Sequence, residues 1–370
     1  MPLPAKPSTA SAADDAAGTL YLLTDEQVRV TGKTVERYRH MAHQVLSTGG
    51  VEEASNVSVD FDPTYERLTL HGVWRIRNGD RQDVLRPAEV KVIQQETELQ
   101  LQLYNGTLSV VSFLRDVRVG DTIEVAYTLE GANPVFAGRF ADMVEAGFSV
   151  PVVHWSYRLL WPEKRPLFIR EHGKVEASHT EFLRQGVREL TWERQNTAPI
   201  VRDDRVPAWY PAYPWLQISE YETWGEVARW ASTLFQVPTR SKEMEEQVQL
   251  FAKEPTPEKR FLAALRFVQD EVRYLGIEMG PNSHQPHPPH EVFARRFGDC
   301  KDKSLLLVTL LQGLGIQARP ALVNTYLKHG LDSWHPTWRA FDHAIVRATV
   351  DGREYWVDPT STLERGPLAG

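Results

Sequence analysis

From Thr19 to Pro199, apolar and polar residues alternate in short runs. NVSVDFD (56–62), RLTLHGVWRIR (67–77), DTIEVAYTLEG (121–131) and VHWSYRLLWP (153–162) follow a period of two and are rich in β-branched and aromatic residues. That is the pattern of half-buried strands. Asn78-Gly79-Asp80, Asn105-Gly106 and Val119-Gly120-Asp121 punctuate them as turns. Strands at this spacing predict an all-β sandwich over residues 19–200. No dyad or cluster of titratable groups there resembles a site, so this part reads as a scaffold or recognition domain.

After Pro199 the period changes. DRVPAWYPAYPW (204–215) reads as a Pro/aromatic crossover within a linker at 201–220, packed against a neighbouring domain. Helices follow. Thr223 and Glu226 form a capping-box signal ahead of Val227, Trp230 and Leu234. Residues 241–252 predict a shorter helix. Thr256-Pro257 opens another, with Phe261, Leu262, Leu265, Val268 and Val272 at helical spacing. The whole chain is therefore expected to be α+β: a flexible leader (1–18), a β domain, the linker, and an α+β domain over 221–370.

Composition narrows the picture. A length of 370 residues allows two or three domains, and 42% hydrophobic with 25% charged residues is ordinary for a globular protein. Eleven Trp and 24 Pro fit sandwich cores and fixed turns better than a helical bundle. A net charge of −7 with no basic cluster argues against a nucleic-acid partner. No apolar run is long enough to span a membrane, and MPLPAKPSTASAADDAAG lacks the apolar core of a signal peptide. It reads as a leader or as what remains after removal of a signal. A single cysteine allows neither an internal disulfide nor a cysteine-based zinc cage, and it fits both a nucleophile and an inert buried thiol.

That cysteine lies in RRFGDCKDKSLLLVTLLQGLGI (295–316). Asp299 is placed to cap a helix, with Asp302 at its third position. Leu306, Leu307, Leu310, Leu311 and Leu314 form an apolar face, and Gly315 suits the residue after the C-cap. Cys300 is then the first helical residue, where backbone N–H groups, the helix dipole and nearby Lys301 favour a thiolate. A buried thiol acting as a small hydrophobe would sit inside the leucine run instead. Downstream, ARPALVNT (318–325), FDHAIVRATV (341–350) and EYWVDPT (354–360) read as strands, the last two joined by the Asp351-Gly352 hairpin signal. His343 and Asp358 fall near the same sheet end. Singly, His343 suits a structural histidine and Asp358 a turn before Pro359. As an ordered set on helix, strand and strand, the three suit a thiol, a base and an orienter.

FGDCKDKSLLL, FDHAIV and YWVDPT resemble the three catalytic motifs of a bacterial transglutaminase-like domain, in the family order, over residues from about 260 to 360. The stretch VRYLGIEMGPNSHQPHPPHEVF (272–293) is similar to the subgroup that carries an N-terminal DUF3857 domain, and the β region from about 25 to 200 fits that domain in length and strand pattern. The resemblance implies a papain-like or transglutaminase-core domain whose Cys-bearing helix packs on an antiparallel sheet. It implies Cys300 as nucleophile, His343 as base and Asp358 as orienter. It further implies a peptide or protein substrate and an extracytoplasmic, periplasmic setting. Only twelve residues follow Asp358, fewer than the family suggests, so a continuation of the chain is expected. Gln285 suits an amide donor to an oxyanion and equally a residue that holds its loop.

His284, His287 and His290 repeat every third residue, but Pro286, Pro288 and Pro289 keep the segment extended, so three imidazoles on one face are not expected. Neither a metal nor a cofactor is called for, although the run's place beside the cleft leaves substrate contact open. Two functions compete. One is acyl transfer through a Cys acyl-enzyme, with an amine or water as acceptor, as in a transamidase or cysteine protease. The other is a non-catalytic peptide-binding or assembly module with a vestigial thiol. An intact triad favours the first.

Overall fold

The structure is a computed structural model that describes residues 3–4, 18–86, 89–96, 99–202, 205–207 and 209–368. The leader expected over 1–18 falls, but for residues 3, 4 and 18, outside the described residues, as do residues 204 and 208 of the crossover. The chain divides into two compact units: Met1–Gln95 with Thr107–Glu222, and Glu96–Gly106 with Thr223–Gly370. Among the described residues, no helix is long and apolar enough to cross a membrane.

In the first unit the strands are β1 (Thr19–Thr31), β2 (Thr34–Val45), β3 (Asn56–Phe61), β4 (Glu66–Arg77), β5 (Asp80–Asp83) and β6 (Val90–Gln94). The second unit borrows β7 (Leu103–Tyr104). The first unit then resumes with β8 (Leu108–Phe113), β9 (Thr122–Gly131), β10 (Ala141–Glu145), β11 (Val152–Pro162), β12 (Phe168–His172), β13 (Ser178–Arg184), β14 (Val187–Thr197) and β15 (Trp215–Ser219). Among the described residues, eight strands form one sheet in the order β13-β14-β11-β1-β2-β9-β4-β5. Two three-stranded sheets, β10-β15-β12 and β3-β8-β6, accompany it.

The alternation read from the sequence explains the packing. On β11, Trp155, Tyr157, Leu159 and Trp161 point one way and meet Leu216 and Ile218 of β15. Val57 and Val59 of β3 pack with Val73, Ile123 and Val125 of β4 and β9. The sandwich is thus a long sheet with a separate small sheet against each half. Two details depart from the sequence reading. A short helix, α1 (Thr48–Ser55), interrupts the β region, with Val51 and Ala54 packed into the β3–β4 core. The crossover at 201–220 contains β15, a buried strand paired with both β10 and β12.

The second unit carries α2 (Trp224–Leu234), α3 (Lys242–Phe251), α4 (Pro257–Glu271), β16 (Arg273–Tyr274), β17 (Gly276–Ile277), α5 (Pro289–Arg295), β18 (Phe297–Gly298), α6 (Cys300–Gly313), β19 (Gln317–Val323), β20 (His343–Val350) and β21 (Arg353–Val357). Thr223, Ser241 and Thr256 cap α2, α3 and α4 through their hydroxyls, the first and last as their sequence signals imply. Helix α6 is the centre of this unit. Lys301 to Leu311 are all buried, so the helix is covered around its whole circumference: α4 and α5 pack on it, and the antiparallel sheet β19-β20-β21 supports it. Gly315, with φ +76°, lets the chain leave. Its N–H donates to the Gln312 carbonyl and that of Ile316 to Leu311, which is a Schellman ending.

The hairpin between β20 and β21 sets the register on which the site depends. Asp351 and Gly352 have φ of 48° and 77°, both left-handed, as a type I′ turn requires. An alanine at Gly352 meets no neighbour but keeps that φ, so Gly352→Ala is expected to cost about 1 kcal/mol. A lowered midpoint in chemical denaturation, with an unchanged slope, checks this.

Candidate active site

The Asp299 side chain accepts from the N–H groups of Lys301 (3.0 Å) and Asp302 (3.1 Å), which fixes the start of α6. Cys300 is therefore the first helical residue, half-buried, with its side chain at the positive end of the helix dipole. Lys301 does not offer a free positive charge. Its ammonium is buried and held by Asp299 at 2.5 Å and Glu278 at 2.8 Å. Burial alone would lower its pKa, but the two carboxylates outweigh it and keep the group firmly protonated.

His343 opens β20, beside Val323 of β19. Asp358 follows β21 directly. The two meet with His343 Nε2 at 2.8 Å from Asp358 Oδ2. The other carboxylate oxygen accepts from the Thr360 N–H at 2.8 Å and its hydroxyl at 2.7 Å. Gln269 of α4 donates to the Asp358 and Ser361 carbonyls, which ties this turn to the helix behind it. Asp358 is fixed before it meets the imidazole. Burial pushes its pKa up, yet the hydrogen bonds from His343 and Thr360 carry it below the ordinary carboxylate range.

Cys300 and His343 line the same cavity. His343 is raised to about 10, first by its hydrogen bond to Asp358, then by its hydrogen bond with Cys300; burial opposes both, and the charges of Cys300 and Asp358 add to the rise. With Nε2 engaged by Asp358, Nδ1 is left for the sulfur. This arrangement suits a thiol beside an imidazole that a carboxylate orients. The structure thus brings together Cys300, His343 and Asp358.

It does not bring in Gln285. That residue is exposed, its N–H donates to the Pro281 carbonyl, and it is not among the residues lining the cavity at Cys300. The neighbouring His284 is. A cavity of about 230 Å³ borders the sulfur, walled by Trp230, Glu278, His284, Leu322, Trp338 and Phe341. Rings of Trp230 and Trp338 meet His284 at 6.0 and 5.1 Å, and Ser283 Oγ lies 2.9 Å from its Nδ1. Burial, aided by the charges of Lys301 and Arg339, lowers His284 to about 4, so it is neutral at physiological pH.

The three spaced histidines separate. His284 enters the cavity, His287 binds Asp302, and His290 stays exposed near Glu291. Among the described residues, no group of three His, Cys, Asp or Glu is gathered to hold a metal ion. The aromatic wall was missed in the sequence because Trp230 and Trp338 lie far apart along it and their spacing carries no motif.

A cysteine at the N-terminus of a buried helix, facing a histidine and an aspartate on an adjacent antiparallel sheet, belongs to the papain-like thiol fold. Residues 245–359 match the transglutaminase-like superfamily, and residues 32–201 match the domain of unknown function DUF3857. The chain joins a DUF3857 domain to a transglutaminase-like domain. A crystal structure of a candidate protease from Parabacteroides distasonis superposes with a TM-score of 0.76 at 16% identity, over 95% of this chain and 68% of the other. At that identity the likeness shows the fold alone. Two further structures match far less closely: a candidate cysteine protease from Cytophaga hutchinsonii (TM-score 0.21, 11% identity, 88% and 76% covered) and aminopeptidase A from Legionella pneumophila (0.31, 11%, 64% and 26%). No curated protein matches this sequence.

Proposed function

We propose that the chain is a thiol-dependent acyltransferase or peptidase that acts on a peptide or glutamine amide through a Cys300 acyl-enzyme. The observation that carries this reading is the His343–Asp358 pair, Nε2 2.8 Å from Oδ2, with His343 lining the same cavity as Cys300 at the start of α6. The Cys300 thiolate attacks the amide carbon and a C–S bond forms. The Cys300 N–H, free of helical duty at the first position, suits the oxyanion that results. The C–N bond then breaks as the His343 imidazolium passes its proton to the departing amine. In the second half, water or an amine gives a proton to His343 and attacks the thioester. The C–S bond breaks, and the thiolate faces the imidazolium again. Asp358 holds the ring's tautomer and orientation throughout and keeps its own charge.

Because the chain has one cysteine, the mass of the whole protein reports the site. Treated with iodoacetamide at pH 7, Cys300 is expected to gain a single adduct at least about ten times faster than glutathione does. A rate at or below that of glutathione would leave Cys300 as a structural thiol and favour the non-catalytic binding module. Peptides that form a thioester on Cys300, seen as a mass shift that hydroxylamine removes, would then identify the acyl donor.

A further inference from the structure

A second cavity, about 750 Å³, adjoins the one at the sulfur. Ala231, Phe235, Leu322 and Phe341 line both, so the two lie side by side. The second cavity runs between α2, which contributes Val227 and Ala228, and β19, which contributes Ala318 to Leu322. Its wall is largely apolar, with Gln236, Arg319 and Asp332 among its polar members.

Among the described residues, β19 is an edge strand of its sheet. In an antiparallel pair, alternate residues direct both backbone groups to the partner and the others direct them away. Pro320 lies opposite Val346 and has no N–H to give. It is tolerated where the backbone faces away from the partner. Ala318 and Leu322 share its parity, so their N–H and C=O groups also turn outward. Gln312 Nε2 donates to the Ala318 carbonyl at 3.1 Å, from outside the sheet, as this assignment requires. The Ala344 carbonyl, opposite Leu322, likewise ignores β19 and accepts from Ser304 Oγ at 2.9 Å. At the end of the groove nearest Cys300, the Leu322 N–H and C=O and the Pro320 C=O are therefore turned toward the cavity.

We propose that this groove binds the acyl half of a peptide substrate, an extended segment with apolar side chains that pairs its main chain with Leu322 and Pro320 as an added strand. The proposal rests on the thiol reading of Cys300. The acyl half is the occupant because it stays on the sulfur through the second half-reaction, whereas the amine half departs after the first. The larger surface is best used by the part that must be retained. Proline at Pro320 and the Gln312 contact close the far end of the edge to long strand pairing, so a few residues, not a whole sheet, are accommodated.

The test compares three electrophiles on the full chain. Iodoacetamide reads the thiol alone. Two peptidyl chloromethyl ketones share a glutamine at the electrophile and carry behind it either Leu-Val-Leu or Asp-Ser-Asp. Each alkylates the sulfur with loss of chloride. Expressed relative to iodoacetamide on the same protein, the apolar ketone is expected to inactivate at least about tenfold faster than the acidic one, since even one methylene in a matching apolar pocket gives roughly 10–200-fold. Ala228→Trp, which fills the groove from the exposed face of α2, is expected to bring the ratio close to one. Equal rates for the two ketones, with normal iodoacetamide reactivity, would overturn the groove and leave the thiol reading standing. A ratio that Ala228→Trp does not change would likewise remove the groove. If none of the three reagents labels Cys300, the thiol reading fails and the groove fails with it.

Discussion

His343→Ala is expected to slow the alkylation of Cys300 by iodoacetamide at pH 6 by roughly a hundredfold or more. The ring is held by Asp358 and by Cys300, and its pKa of about 10 means that it stays protonated through neutrality. A cation beside a sulfur favours attack by that sulfur as a nucleophile. A thiol without such a partner, with an ordinary pKa near 8.5, is only about 0.3% thiolate at pH 6. The wild-type rate should therefore exceed that of His343→Ala most at pH 6, and the two should approach each other at the alkaline end. Asp358→Ala should lose less, because Asp358 orients the ring and transfers no proton. The linkage has a definite sign. A histidine whose pKa is raised on folding binds its proton more tightly in the native state, so this contribution to stability is complete below about pH 6.5 and fades as pH rises towards 10. Wild-type alkylation profiles in both variants would remove the triad assignment.

How much of this was legible before the structure depends on whether the signal was local. The start of α6 was legible, because Asp299, Asp302 and the leucine spacing lie within a few turns of one another and capping is local physics. The meeting of His343 and Asp358 was legible for the same reason: a two-residue turn at Asp351-Gly352 fixes the pairing of the strands it joins. The place of Gln285 in the HQP stretch is its whole signal in the sequence. A Pro-rich segment gives no period from which to tell which side chain turns inward, and the structure turns in His284 and leaves Gln285 exposed. In the sequence Lys301 looks like a bare charge, because its partner Glu278 lies 23 residues upstream, beyond any local rule. Residues 96–106 sit within the β domain in sequence, yet their strand β7 pairs in parallel with Gly276–Ile277 of the second unit. No turn or period announces a parallel pairing across that separation.

Asp302→Ala is expected to destabilise the second unit by roughly 3–5 kcal/mol, the range for stranding the partners of a buried charge. The capping box read from the sequence would send this carboxylate back to the start of its own helix. The structure sends it elsewhere. Asp302 is fully buried and accepts from the His287 N–H at 2.7 Å and Arg295 Nη2 at 2.9 Å, with His287 Nδ1 at 3.2 Å. One side chain on the first turn of α6 therefore clamps both the 281–288 segment, which supplies a wall of the cavity at Cys300, and the last turn of α5. Burial pushes its pKa up, but the His287 hydrogen bonds and the charges of His287 and Lys301 reverse this, and the group lies below the usual carboxylate range. The sign follows. A depressed carboxylate contributes its stability above the unfolded pKa of about 3.9 and loses it as pH falls through the folded value. The difference in denaturation midpoint between wild type and Asp302→Ala should be full at pH 7 and should shrink below pH 4. Asp302→Asn, which keeps an acceptor for the His287 N–H but no charge for Arg295, should fall between them. If Asp302→Ala unfolds at the same denaturant concentration as wild type at pH 7, the clamp contributes nothing, and the loop that carries His284 is held by its prolines and the aromatic wall instead.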